Sequence, residues 1–147
     1  MKKPGYTLIE LLVVLSILCV MILLVPTVQK SQFEHYQEEL FFSDFENFLK
    51  VHQTNALATD QNSFIHFIKP PINRIEFKVA GQDDLTRIIT LPPSLELVTN
   101  YDLVFKKHTG TPSKAGRIAF RNKKEKIVYK IQPASGRYSV ERTPLPY

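Results

Sequence analysis

Hydrophobic residues are distributed unevenly along this chain. Every residue from Leu11 to Val25 is apolar except Ser16, and over the 21 residues from Leu8 to Val28 the one charged side chain is Glu10. At ~1.5 Å per residue that stretch makes a helix of about 31 Å, matching a hydrocarbon core of roughly 30 Å. Pro26 marks either a kink or the exit from the membrane. Beyond it the apolar positions recur at spacings of three and four: Phe33, Tyr36, Leu40, Phe41, Phe48 and Leu49, with Phe45 on a nearby face. Glu34, Glu38, Glu39, Asp44, Glu46 and Lys50 fill most of the complementary positions. The pattern predicts an amphipathic helix over 29–58, ending near Asn55 or Ala58, with its aromatic face packed on a sheet. Joined to the apolar segment it would make one rod of roughly 75 Å.

From Ser63 onward the period changes to two. Ser63–Lys69 and Arg74–Val79 are predicted strands, the second alternating Ile75, Phe77 and Val79 with Arg74, Glu76 and Lys78. Pro70-Pro71 and Gly81-Gln82-Asp83-Asp84 are expected as turns or loops. Arg87–Leu91, Leu95–Val98 and Leu103–Lys106 are short candidates. Arg117–Arg121, Lys126–Ile131 and Arg137–Val140 are clearer, with Ile118, Phe120, Ile127, Tyr129, Ile131, Tyr138 and Val140 directed inward. Asn122–Glu125 and Ala134-Ser135-Gly136 connect them as hairpin turns. The fold class is therefore α+β: a long N-terminal helix, half apolar and half amphipathic, packed on an antiparallel sheet. The expected domains are a leader at 1–5, an apolar helix at 6–28, the amphipathic helix at 29–58 and a β-rich head at 59–147.

Composition sharpens this picture. Of 147 residues, those after the apolar run number about 115, enough for one core. The single cysteine, Cys19, lies inside the run, so an intrachain disulfide or a Cys-based zinc site is excluded. Ten prolines and no tryptophan suit strands and turns. The net charge of +5 conceals a segregation: residues 31–102 carry five basic and eleven acidic side chains, residues 103–147 eleven basic and two acidic. Such asymmetry fits either self-complementary packing or contact with a polyanion.

A secretory signal peptide needs small residues at a cleavage site after the run, and Pro26-Thr27-Val28-Gln29 offers none. A lipoprotein signal needs them before Cys19, where Ile17 and Leu18 stand. A plain anchor leaves Glu10 unexplained, because a carboxylate there costs on the order of 2.5–3.5 kcal/mol. Lys2 and Lys3 would keep the N-terminus cytoplasmic and the remainder outside.

Met1-Lys2-Lys3-Pro4-Gly5, followed by Tyr6-Thr7-Leu8-Ile9-Glu10 and the apolar run, resembles the class III signal of type IV prepilins and pseudopilins. The resemblance implies cleavage after Gly5 by a prepilin peptidase, N-methylation of Tyr6, and pairing of Glu10 with the α-amine of a neighbouring subunit during assembly. A buried carboxylate and a buried ammonium are each costly alone and tolerable together. Most members of that family begin with Phe where this chain has Tyr6. Cleavage would also remove Lys2 and Lys3. The stretch Phe105…Gly110…Gly116-Arg117-Ile118-Ala119-Phe120…Lys130-Ile131…Gly136-Arg137 resembles minor pseudopilins of the GspH/FimT type. Size, short leader and scarcity of cysteine resemble the minor pseudopilins of Gram-positive competence machinery. These likenesses imply a structural subunit of a transformation pilus needed for DNA binding and uptake. Other pilins, major and minor, would be its partners, with the membrane before assembly and the cell surface after it. A pseudopilin of a type II secretion or other type IV pilus system shares every feature used.

No enzyme is expected. The chain has no G-x-S-x-G, no phosphate-binding loop and no dinucleotide-binding glycine pattern, and His35, His52, His66 and His108 lie at no metal-ligand spacing. No cofactor or metal is implied, and His66 is expected as a half-buried sheet residue. The remaining candidates are Lys106, Lys107, Lys114, Arg117, Arg121, Lys123, Lys124, Lys126, Lys130, Arg137 and Arg142. Alternation places Arg117 and Arg121 on one outward face and Lys126 and Lys130 on the partner strand, with Lys123 and Lys124 at the hairpin. Such a lattice suits phosphate contacts to DNA that are salt-sensitive and blind to sequence, with Tyr101, Tyr138 and Tyr147 as candidates for stacking, although alternation directs Tyr138 inward. It also suits docking on acidic residues 34–46 of a neighbouring subunit, the simpler reading. Some FimT-type pilins carry a DNA-binding Gly-Arg-x-Arg motif. Here Gly136-Arg137-Tyr138-Ser139 lacks the second arginine.

Overall fold

The computed structural model describes residues 7–99 and 101–146, and of residues 24–31 and 83 the backbone alone. The leader and Tyr6 therefore lie outside the described residues, as does Tyr147. A single helix, α1 (Leu8–Ala58), runs unbroken through position 26. It ends where the periodicity places its end, and the Thr59 amide and hydroxyl both donate to the Asn55 carbonyl, at 2.9 and 2.7 Å. Among the described residues no helix is long and apolar enough to cross a membrane. The predicted span reaches Val28, past Leu23, the last apolar side chain of the run that is described.

The chain divides into two compact units, Met1–Tyr36 and Gln37–Tyr147. In the first, every large apolar side chain from Leu8 to Leu23 is between 50% and 82% exposed, on all sides of the helix. Phe33 and Tyr36 are exposed as well, at 61% and 64%.

In the second unit the helix packs against two antiparallel sheets, where a single sheet was expected. One has the order β3 (Gln82–Thr90), β2 (Arg74–Val79), β1 (Ser63–Ile68), β5 (Asp102–Phe105); the other has β4 (Glu96–Leu97), β6 (Gly116–Arg121), β7 (Glu125–Ile131), β8 (Tyr138–Pro144). Alternation identifies which face of a strand is inward but leaves its neighbour open. Here the short β4 joins β6 while the next strand, β5, returns to β1. Asn73 ties the two sheets together: its side-chain amide donates to the Leu95 carbonyl at 2.8 Å and its Oδ1 accepts the Leu97 amide at 3.1 Å. Its positive φ of 51° is one that Asn tolerates better than most residues.

Two further expectations are corrected. The segment Gly81–Asp84 is not a loop, because β3 begins at Gln82, which pairs with Val79. Gly81, at φ 72°, lets the chain reverse in a shorter turn. On the helix, the buried stripe is Phe41, Phe42, Phe45, Leu49, His52 and Ala56, while Leu40 is exposed and Phe48 half-buried. Phe45, placed on a nearby face by spacing, is fully buried at the centre of the core. Its ring lies 6.2 Å from Phe67 of the first sheet and 5.4 and 5.3 Å from Phe120 and Tyr129 of the second, each edge-on. Edge-to-face contacts at such distances add to area burial.

Candidate functional site

Glu10, the residue singled out by cost, sits at the start of α1 with a role of its own. The Thr7 amide donates to Glu10 Oε2 at 3.3 Å, the Thr7 hydroxyl donates to the same oxygen at 3.2 Å, and the Glu10 amide donates to Thr7 Oγ1 at 3.4 Å. Reciprocal bonds between the N-cap residue and the third helical residue form a capping box, which satisfies amides that lack partners within the helix. The carboxylate also faces the positive end of the helix dipole. The spacing Thr7-x-x-Glu10 was legible in the sequence as this motif, alongside the signal that made Glu10 stand out. Nearly two turns further on, the Ser16 hydroxyl donates to the Leu12 carbonyl at 2.8 Å, so the run's polar interruption is satisfied internally.

The basic residues do not form one face. Arg117 lies opposite Lys130 and Arg121 opposite Lys126 across the β6–β7 ladder, which alone would repel. Carboxylates relieve part of this. Arg121 pairs with Glu96 at 2.7 Å, Lys130 with Glu141 at 2.6 Å and Arg142 with Glu125 at 3.3 Å. The Lys130 ammonium, with Arg117 contributing, holds the Glu141 carboxyl below the ordinary carboxylate range. At the other end of the unit, Lys107 and His108 both reach Asp60, at 2.6 and 3.0 Å. Hydrogen bonding to Lys107 lowers the Asp60 carboxyl likewise. The Lys107 amide donates to Asn62 at 2.8 Å, and the Gln53 side chain donates to the Ser135 carbonyl at 3.3 Å. The loops bearing Lys106, Lys107 and Arg137 thus sit by residues 53–62. The β6–β7 turn instead sits by Glu38, whose carboxylate accepts Asn122 Nδ2 at 2.8 Å. Fourteen residues of helix lie between Glu38 and Gln53, a rise of about 22 Å.

This arrangement changes both readings of the basic region. Docking on the acidic helix is partly intramolecular, because the hairpin already rests on Glu38 of its own chain. Glu46, another acid of that stretch, is occupied too: Tyr129 and Tyr138 donate their hydroxyls to it at 3.1 and 2.9 Å. Burial first, then the Glu46 hydrogen bond and charge, push the Tyr138 phenol up to about 12. The Tyr138 ring is half-buried against the core, 5.6 Å from that of Tyr129. Tyr101 is also engaged, donating to the Lys114 carbonyl at 3.0 Å with the Lys114 ammonium 4.9 Å from its ring centre. Among the described residues, Lys106, Arg117, Lys123, Lys124, Lys126 and Arg137 have no carboxylate within ion-pair distance.

The histidines have structural surroundings. His66, half-buried, contacts Asp102 at 3.1 Å, and His52 is buried with its ring 5.1 Å from Phe77. Among the described residues no group of three or more His, Cys, Asp or Glu side chains is placed to hold a metal. A cleft of about 390 Å³ beside α1 is lined by Leu40, Phe41, Ile88, Ile89, Pro92 and Pro93, with Asp44 as its one ionisable side chain.

Comparison with known proteins bears on the N-terminus. Residues 1–26 match the family model described as the prokaryotic N-terminal methylation motif. The match supports a type IV pilin-like protein. No curated protein and no solved structure matches the chain. The motif spans the leader, Gly5, Tyr6, Glu10 and most of the apolar run. It implies processing by prepilin peptidase and assembly with other pilins.

Proposed function

We propose that this chain is a minor pseudopilin of a competence pilus, most like the D component of the Gram-positive ComG machinery, and that it performs no catalysis. It is made as a single-pass membrane precursor with its N-terminus cytoplasmic, cut between Gly5 and Tyr6, methylated on Tyr6, and drawn into a filament at the cell surface. The observation that carries this reading is Glu10 at the head of a helix exposed on every side. An apolar surface of that extent needs lipid or neighbouring helices to cover it. A carboxylate within it needs a cation once water is excluded. In the free protomer Glu10 caps its own helix; on assembly it exchanges part of that capping for the freed α-amine of a neighbour.

Removing one partner of a buried ion pair costs about 3–5 kcal/mol. Incorporation of Glu10→Ala into sheared pili should therefore fall by roughly two to three and a half orders of magnitude, while cleavage after Gly5, read by mass spectrometry, continues. Normal incorporation would defeat the reading. Transformation frequency of a deletion strain then separates the systems: unchanged DNA uptake with impaired protein export would assign the chain to secretion instead.

A further inference from the structure

Within residues 37–147 each sheet ends in a long strand with one edge free. β3 bounds the first sheet and β8 the second, and among the described residues no backbone bond reaches the outer edge of either. Unpaired strand edges are templates for another strand, and proteins blunt them with lysine or proline. From Leu85 to Thr90, β3 has neither. Ile88, Ile89 and Thr90 at its end line the cleft against α1. There Leu40 and Ile88 are half exposed, and Asp44, the one ionisable side chain, has no cation within ion-pair distance among the described residues.

The β8 edge carries the complement of that cleft. Val140 and Arg142 lie opposite Tyr129 and Ile127 of β7, both buried, so the two share the inward face of the sheet. Tyr138 on that face reaches Glu46 of α1, whereas Val140 is 41% exposed and the Arg142 side chain 52%. Arg142 meets Glu125 of its own chain only at 3.3 Å. An apolar residue and a cation two positions apart on an open edge thus match an apolar cleft holding a single acid. We propose that β8 of one copy adds to β3 of a second copy as the next strand of its first sheet, with Val140 set into the cleft and Arg142 turned to Asp44. Strand addition draws affinity from main-chain bonds and selectivity from alternate side chains. The contact is head-to-tail and leaves one copy with a free β3 and the other with a free β8, so further copies can add. It involves residues 37–147 alone and requires neither Glu10 nor the apolar run.

The test uses two full-length chains with different tags, both carrying Cys19→Ser. One has Thr90→Cys on β3 and the other Thr143→Cys on β8, at exposed sites. The two are co-expressed, their membranes are treated with a bismaleimide, and the adducts are read by mass spectrometry. Position 90 of one chain should be joined to position 143 of the other. Like charges facing each other across a contact strongly disfavour it, so Asp44→Lys in the first chain should cut the yield about tenfold. Arg142→Glu in the second chain, made together with Glu125→Gln to avoid repulsion within that chain, should restore it. Val140→Lys, at an exposed site that the fold does not need, should lower the yield of the unsubstituted pair as well. Absence of the adduct overturns the proposal, as does a yield indifferent to Asp44→Lys and Val140→Lys or not restored by the exchanged charges. Position 90 joined to itself, or to another protein in place of position 143, overturns it too.

Discussion

Gly116 is a glycine for lack of room. A Cβ placed there would come within 2.2 Å of the Tyr101 ring, which lies across the start of β6. Gly136 differs in kind: its φ of 65° disfavours any side chain, and the atom nearest its Cβ direction is the movable end of Gln53. Gly116→Ala should cost about 1–3 kcal/mol by overpacking and should be largely rescued by Tyr101→Ala. Urea denaturation of both singles and the double variant checks the coupling. Equal losses with and without Tyr101 would mean that the ring is not the obstacle. The capping box at Thr7 and Glu10 belongs to this scale as well: the spacing was present in the sequence, and only the structure added that Thr7 occupies the cap.

Between helix and sheet, His52 is the element-level liability. It lies on the inward stripe of α1 against Phe77 of β2, buried, with Nδ1 lacking a hydrogen-bond partner among the described residues. Burial lowers its pKa from the ordinary 6.5. The unfolded chain therefore takes up this proton first as pH falls. Stability should be unaffected by His52 above pH 6.5, should decline below it, and should level off once the folded-state pKa is passed. His52→Phe should flatten that decline, as read from urea midpoints across this range, before carboxylate protonation dominates at lower pH. A slope unchanged in the variant would move the cause elsewhere. Helical periodicity located α1 and its end at Ala58, yet its buried stripe had to be corrected, since Phe33, Tyr36 and Leu40 carry the same spacing as the residues that are buried.

At the scale of the molecule, one core within residues 37–147 joins the helix to both sheets, and Phe45 touches each of them. Phe45→Ala should destabilise this unit by about 3–5 kcal/mol, whereas Phe33→Ala, on an exposed site of the other unit, should stay within about 0.5 kcal/mol. Thermal unfolding of the two variants compares them directly, and similar losses would contradict the division into units. The sequence by itself determined the elements, the α+β class and the N-terminal motif, because helical and strand periods and a short linear signal are local properties of the chain. Tertiary structure alone decided that there are two sheets, that Phe45 lies at their junction, and that the basic residues separate into two ends with several neutralised by Glu96, Glu125, Glu141 and Asp60. Those outcomes depend on which strands become neighbours and which charges meet across long sequence separations, and period-two alternation is the same whichever partner a strand takes.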